Sequence, residues 1–443
     1  MTELLLGIDV GTSACKAAVL DADGAELALG QVPTPWQRVP TGAETDPERL
    51  VEAAADAARQ ALAHAPDGHV AAIGVASIAE TGALLDADDR ALHPAIAWHD
   101  SRGARAAEDM ARALPDFAER TGLFPSALCT LAKLADLETE GARRWLNVAE
   151  LVVHRLGGRQ VSELSLASRT GLLDLEPIAP YQEALDWADL PEDLLADLVV
   201  AGTDVGRSDG RALPGTEDAV LTVAGHDHLV AGAGVGVIAP GDLLDSCGTA
   251  EALVRVVAPP LDAAARRRSV EASVTVGWHV AEGRQCLLAG LWSGLALGEV
   301  LDGLAVGDAD RAQLDAGALA TAPGDAPALE LELRSLERPP LRLPDAPAAA
   351  IWRAAIDVAT DELEAVIGRI DAVAGPHTRL VVTGGWARDP AVLDAKRRLG
   401  AFEAPPVVEA GCRGAALLAG VAAGLYAGAD DLPEVPTVAK EPA

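Results

Sequence analysis

The feature that most restricts the fold is an echo within the chain. A continuous apolar run, Leu4–Ile8, enters Asp9-Val10-Gly11-Thr12-Ser13. Much later Asp242–Ser246 enters Cys247-Gly248-Thr249, with Asp245 just ahead of the turn. Short apolar runs ending in Gly and small hydroxyl residues read as buried strands entering tight turns. Two such strand-turn-strand clamps, one in each half, imply a duplicated α/β fold with a cleft between the halves.

The surrounding pattern is consistent with this. Ala14–Leu20 and Glu26–Val32, parted by Asp21-Ala22-Asp23-Gly24, continue the first hairpin as a meander. Asp46-Pro47 opens a helix running to about Ala65: Asp at the cap, Pro in the first turn, and Glu48 near the positive helix end. Val70–Ala76 reads as a strand, one helix follows Ser101-Arg102, and Leu131–Trp145 reads as another. Gly202–Gly215 is rich in Gly, Asp and Arg and lacks periodicity, so the boundary between an N-terminal and a C-terminal domain is placed between residues 220 and 221. The pattern then restarts with a strand at Val220–Val223 and a helix from His228 to about Gly236. A long helix covers Ala348–Val373, Arg379–Thr383 is a strand ending in Gly384-Gly385, and the last helix spans Arg413–Tyr426.

With 443 residues, at about 150 per domain, the chain has room for two or three domains. Half of the residues are hydrophobic but only 3% are aromatic, so Ala, Val and Leu must fill the core. Gly or charged residues interrupt every apolar stretch before the roughly 20 residues of a membrane span. The start, Met1-Thr2-Glu3, lacks the basic segment of a signal peptide. The net charge of −32, with no basic patch, argues against nucleic-acid binding and reads as a solvated acidic surface. Only 4 lysines accompany 31 arginines, which makes Lys16 and Lys133 stand out. Cys15, Cys129, Cys247, Cys286 and Cys412 are widely spaced and form no CxxC. Neither a disulfide framework nor a zinc site is expected, and a cytoplasmic setting fits.

The chemistry concentrates in a few segments. Around Asp9, Gly11, Thr12, Ser13 and Lys16, glycine lets backbone N–H groups approach a phosphate and form an anion nest. The Asp9 carboxylate suits Mg²⁺ held through water. Neither GxxxxGK[ST] nor GxGxxG follows the first strand, which argues against a Walker loop and a dinucleotide fold. Gly248 and Thr249 repeat the phosphate turn. In Gly225-His226-Asp227-His228, Asp227 has two readings: a base that accepts the proton of an attacking hydroxyl, or the N-cap of an Ala/Gly helix. Gly384 and Gly385 permit close approach by a flat ring such as adenine, and Gly411 and Gly414 are expected to complete that wall. Glu80 and Asp100 suit sugar hydroxyls, with Arg102 equally a structural partner for a carboxylate. His226 and His228 have no partners at metal-ligand spacing. Together these segments suggest transfer of a phosphoryl group from a nucleotide to an alcohol.

On these residues the chain resembles the FGGY carbohydrate kinases of the actin-like ATPase superfamily. The motifs run in order along nearly the whole chain: Gly7–Lys16, Ala95–Arg102, Leu131–Leu134, Ser165–Asp174, Ala224–Asp227, Ser246–Thr249, Thr383–Ala387 and Gly411–Leu418. The resemblance implies an α/β chain of two actin-like, ribonuclease H-like domains, with ATP and Mg²⁺ as cofactors. It implies Asp227 as the base, Asp9 organising Mg²⁺, and ATP phosphates on Gly11, Thr12, Ser13, Lys16, Gly248 and Thr249. Gly384 and Gly385 would face the adenosine, and Glu80, Thr81, Asp100, Asp227 and His228 would hold the sugar. The two domains are expected to close on the substrate and exclude water.

The departures concern the substrate. Glycerol kinases carry Asn-Gln-Arg-Glu-Thr where this chain has Ser77-Ile78-Ala79-Glu80-Thr81, so Ala79 loses an arginine, and their aromatic wall falls near Leu128. Xylulose kinases carry Gln-Met-His at Ile78-Ala79-Glu80, and residue 228 is commonly Gln or Asn in both groups. The expected acceptor is therefore a ketose or sugar alcohol of the xylulose or fuculose type. The expected partners are that sugar and ATP, with no nucleic acid and no membrane; a homodimer stays open. The chain also looks short for the family, with the missing length placed within residues 255–345. The alternative function is a catalytically silent sugar sensor, which has no need of Asp227 and two phosphate turns. Another ATPase of the superfamily is a third reading. A chaperone needs a peptide-binding domain, for which the tail after Tyr426 is too short, and ROK proteins usually carry a His/Cys zinc cluster.

Overall fold

The computed structural model describes residues 2–322, 324–335 and 339–436. The chain divides into two compact units. The first is built from Met1–Pro240, Val256–Cys286 and Glu409–Val435, the second from Gly241–Arg255 and Leu287–Val408.

In the first unit a five-stranded sheet runs Val220–His226, His69–Ser77, Glu3–Val10, Ala14–Asp21, Glu26–Pro33. The first three are parallel and the last two join antiparallel. The central strand is apolar along most of its length because both of its faces are covered. Leu4, Leu6 and Ile8 pack with Ala53, Ala54 and Ala57 of helix Pro47–His64, while Leu5 packs with Cys412 and Ala416 of helix Ala410–Ala422. The second helix lies almost on the strand backbone: a Cβ on Gly7 would meet the Cys412 carbonyl oxygen at 1.9 Å. Helix Pro47–His64 starts as expected, with Asp46 accepting from the Glu48 N–H and Pro47 in the first turn.

The second unit repeats the plan. Asp242–Cys247 pairs antiparallel with Glu251–Val257 and parallel with Arg379–Thr383, and Gln285–Leu291 flanks on the other side. Glu3–Val10 relates in the same way to Ala14–Asp21 and His69–Ser77. Helix Ala348–Ala374 contributes Trp352, Ile356, Leu363 and Ile370 to the core.

Several sequence expectations are corrected. Val220–His226 is an integral strand of the first sheet, so the first unit does not end at residue 220. Leu131–Trp145 is not one helix. The helix is Thr130–Leu134, Gly141 takes a left-handed φ of 83°, and Arg144–Asn147 pairs as a strand with Gly82–Leu85. The last helix spans Ala410–Ala422, and Gly424 follows it at φ 74°. All five cysteines are buried and unbridged, as expected. Among the described residues no helix is long and apolar enough to cross a membrane.

Candidate active site

Topology brings the candidate acids of the first unit together. Asp9 lies near the end of Glu3–Val10, and Asp227 follows Val220–His226 directly. Both strands run parallel to His69–Ser77, with Val10 and His226 each level with Ser77. Glu80 lies three residues past Ser77, so all three acids gather at the carboxyl ends of parallel strands, where such sheets bind ligands.

The Oδ1 of Asp9 is buried without a hydrogen-bond partner, and Gly411 packs so closely that a Cβ there would lie 2.3 Å from its Oδ2. Burial pushes the Asp9 carboxyl well above the usual range and Asp227 pushes it further, against a downward pull from Lys16. A buried, unsatisfied carboxylate oxygen beside a second acid is costly, and a hard cation suits it.

Asp227 is the first residue of helix Asp227–Gly234; its N-cap is His226, so the helix-cap reading of Asp227 does not hold. Its Oδ1 accepts the backbone N–H of His228 at 2.7 Å and lies 3.2 Å from His226 Nε2. Burial raises its pKa, the His228 N–H lowers it, and Glu80 raises it.

Glu80, at φ 59°, pairs with Arg169 at 2.8 Å, and Arg169 also donates to Thr275 Oγ1 at 2.9 Å. Thr81 is wholly buried. Two indoles hold the first turn: Trp98 Nε1 donates to Thr12 Oγ1 at 3.0 Å and Trp36 Nε1 to the Thr12 carbonyl at 2.8 Å. Thr34 Oγ1 donates to the Gly11 carbonyl at 2.7 Å. Lys16 Nζ bonds Glu409 Oε2 at 2.8 Å, a partner 393 residues away that no local pattern signals. Lys133 Nζ, buried, donates to the Trp98 carbonyl at 3.0 Å and to those of Ala127 and Leu128. Burial lowers its pKa to about 8.

Asp100, expected at the sugar, is occupied by protein donors. It is 1% exposed. Its oxygens accept from the side chains of Arg102 and Thr41 and from the Arg102 and Ala43 backbone N–H groups. The structural reading of Arg102 prevails, because so many donors leave the carboxylate no free face.

In the second unit, Gly248, Thr249 and Gly385 line a cleft of about 570 Å³ with Arg311, Asp315, Trp386 and Arg388. Gly384, at φ 101°, sits behind it against the Cys247 backbone. The guanidinium of Arg311 stacks 4.4 Å over Trp352 and 5.1 Å from Trp386. Gly411 backs Asp9, and a Cβ on Gly414 would meet the Val230 carbonyl at 1.9 Å, so both glycines serve close packing within the first unit. Sequence reasoning missed Arg169, Arg311 and Trp386. The first and third stand inside motifs it had singled out; Arg311 stands in none.

Residues 4–234 match the family model for the N-terminal domain of the FGGY family of carbohydrate kinases. The glycerol kinase of Aromatoleum aromaticum is 30% identical over 97% of this chain and 92% of its own length. The chain belongs to the FGGY family of carbohydrate kinases. The xylulose kinase of Streptomyces coelicolor is likewise 30% identical, over 96% of this chain and 89% of its own. With the glycerol kinase of Agrobacterium fabrum the match is partial, 30% over 55% of this chain and 52% of that one. The solved xylulose kinase structure from Brucella ovis superposes with a TM-score of 0.85 at 23% identity, covering 99% of this chain and 94% of that chain. The fold is thus the two-domain actin-like fold of FGGY kinases, and the enzyme is a phosphotransferase with an alcohol group as acceptor.

Proposed function

We propose that this FGGY kinase phosphorylates a hydroxyl of a ketose or sugar alcohol from ATP, with Asp227 as general base. The observation that carries the reading is the meeting of Asp9 and Asp227, two half-buried acids with raised pKa values, at one end of the first sheet. A carboxylate with a pKa moved toward neutrality is matched to taking a hydroxyl proton near pH 7. The proton passes to Asp227, the hydroxyl oxygen bonds the γ-phosphorus, and the bond to the ADP oxygen breaks.

Asp9, with its unpartnered oxygen, would hold Mg²⁺ through water, and the ion would offset charge on the phosphates. The turns at Gly11–Ser13 and Gly248–Thr249 are assigned to the phosphates, and Gly385 with Trp386 to the adenosine. Lys16, drawn to Glu409, would reach a phosphate only by leaving that pair. Glu80 and Arg169 neutralise one another. They offer hydroxyls an acceptor and a donor without the surplus positive charge that a sugar acid needs, which favours a neutral acceptor.

The test is ADP release with Mg²⁺-ATP against ketoses, polyols, aldoses and sugar acids, run beside Asp227→Asn. The expected result is a neutral sugar or polyol that stimulates the wild type, with the variant down about 10²–10⁴-fold and nucleotide binding kept. Turnover by Asp227→Asn within tenfold of wild type removes the base assignment, and a sugar acid as the best acceptor removes the substrate class.

A further inference from the structure

The base stands at the end of a buried polar chain with no role in the chemistry described above. The strand before it is irregular: its register against His69–Ser77 shifts between Val223 and Gly225. Extra residues of this kind re-aim the side chains that follow them. Gly225, at φ 116°, makes the bend possible, because a Cβ there would lie 2.6 Å from Ser165 Oγ and 3.1 Å from Glu163 Oε2. Behind the bend, the His226 backbone N–H donates to Ser165 Oγ at 3.0 Å, and that hydroxyl donates to Glu163 Oε2 at 2.5 Å. Glu163 also takes the Leu166 N–H at 3.1 Å, and its own N–H donates to Glu150 Oε1 at 2.8 Å. Glu150 in turn accepts from the Asn147 backbone and side chain at 2.7 and 3.0 Å. Asn147, Glu150, Glu163 and Ser165 are at most 1% exposed.

The chain ends at the backbone N–H of His226; the imidazole of the same residue has its Nε2 3.2 Å from Asp227 Oδ1 and its Nδ1 buried with no hydrogen-bond partner. Burial pushes this imidazole well below its ordinary pKa, with His228 and Arg169 adding to the effect, so the ring is neutral. An ionised carboxylate only accepts, so a ring proton on Nε2 is the one that can serve Asp227 across this 3.2 Å contact.

We propose that His226 is a positioning residue for the base: its Nε2–H and the Ser165–Glu163 pair behind its backbone fix the direction of the Asp227 carboxylate. The buried chain holds the backbone and the imidazole holds the side chain, so the carboxylate meets the hydroxyl in one orientation. Misplacement by about 1 Å can cost around 10²-fold in rate. The inference rests on Asp227 being the base.

The experiment compares His226→Phe, His226→Gln and Ser165→Ala with wild type and Asp227→Asn in the full chain. The acceptor is whichever of xylulose, glycerol or water gives the fastest Mg²⁺-ATP turnover. Readouts are kcat, KM for ATP, ADP affinity by calorimetry and the melting temperature. The expected result for His226→Phe is a fall in kcat of about 10–100-fold with ADP affinity within twofold, and recovery of most of the rate in His226→Gln, which keeps an N–H donor. Ser165→Ala, which leaves the ring in place, is expected to fall about tenfold with the same unchanged ADP affinity. The inference is overturned if His226→Phe and Ser165→Ala both keep kcat within twofold, or if the phenylalanine and glutamine variants fall equally. It is also overturned if the loss lies in KM for ATP rather than in kcat. If His226→Phe melts early, Ser165→Ala decides alone by the same criteria. An active Asp227→Asn removes the base reading itself; an inactive one beside a fully active His226→Phe removes only the positioning role.

Discussion

The hairpins Glu3–Asp21 and Asp242–Val257 share a backbone plan and differ in the state of their charges. In both, the strand entering the turn ends near a glycine whose N–H closes the turn, Gly11 onto the Ala14 carbonyl at 3.0 Å and Gly248 onto the Ala250 carbonyl at 3.1 Å. In both, an aspartate precedes that glycine. Asp9 keeps a buried oxygen with no hydrogen-bond partner, and Lys16, level with it across the hairpin, is drawn off to Glu409. Asp245, fully buried, bonds Lys396 Nζ at 2.5 Å, and the same ammonium holds Glu251 on the neighbouring strand at 2.5 Å. Burial alone pulls Lys396 down, but Asp245 and the groups around it outweigh that and hold the ammonium well above the ordinary lysine value. One hairpin leaves an acid oxygen without a partner, and the other pairs its acid with a cation that clamps the two strands of a turn. Local sequence sets the turn, and a distant cation decides what the carboxylate does.

The largest effect is expected from Lys396→Met. It leaves two buried carboxylates without their cation, and we expect a loss of about 3–5 kcal/mol in urea unfolding. Wild-type stability in that variant would show that the clamp is not what holds the second hairpin. Next, Asp9→Asn should lower kcat by on the order of 10²–10³ with no loss of stability, since Asp9 is a burial-strained acid and the cation it would hold is worth several kcal/mol. Asp245→Asn should show the reverse: weaker folding by about 1–3 kcal/mol with turnover per folded molecule within a few-fold. If both aspartates behave alike, the contrast between the hairpins is wrong.

The smallest effect concerns pH. Burial raises Glu163 from 4.5 to about 7 and Glu150 to about 8. Between the unfolded and folded pKa values the native state holds protons that the unfolded state has released, so stability falls with rising pH. The contribution is full below about pH 4.5 and is lost as pH rises through about 7 to 8. Glu163→Gln should therefore flatten the decline in urea stability from pH 5 to pH 8 by on the order of 1–3 kcal/mol. An unchanged slope would mean that Glu163 is ionised in the native state.

The parts of the fold legible in the sequence were those governed by short-range rules. Leu4–Ile8 and Arg379–Thr383 announce strands through apolar runs, and Asp46-Pro47 announces a helix through its cap. Leu131–Trp145 has an apolar spacing that suits a helix locally. Pairing with Gly82–Leu85, about 60 residues earlier, makes its end a strand.

The candidate site divides in the same way. The sequence by itself determined which backbone turns exist and which acids stand beside them: Asp9, Glu80, Asp100, Asp227 and Asp245 are all legible. The tertiary structure alone decided which of them keeps an unsatisfied oxygen. Asp100 is saturated by Arg102 and Thr41, Asp245 is claimed by Lys396 from 151 residues away, and Glu80 is paired with Arg169. Asp227 is steadied by a histidine whose backbone rests on Ser165, 61 residues before it. Turns and caps form through hydrogen bonds between near neighbours, so the order of residues contains them. The reactivity of a buried acid depends on desolvation and on whichever charge the fold brings within about 4 Å, and chain order does not encode that distance.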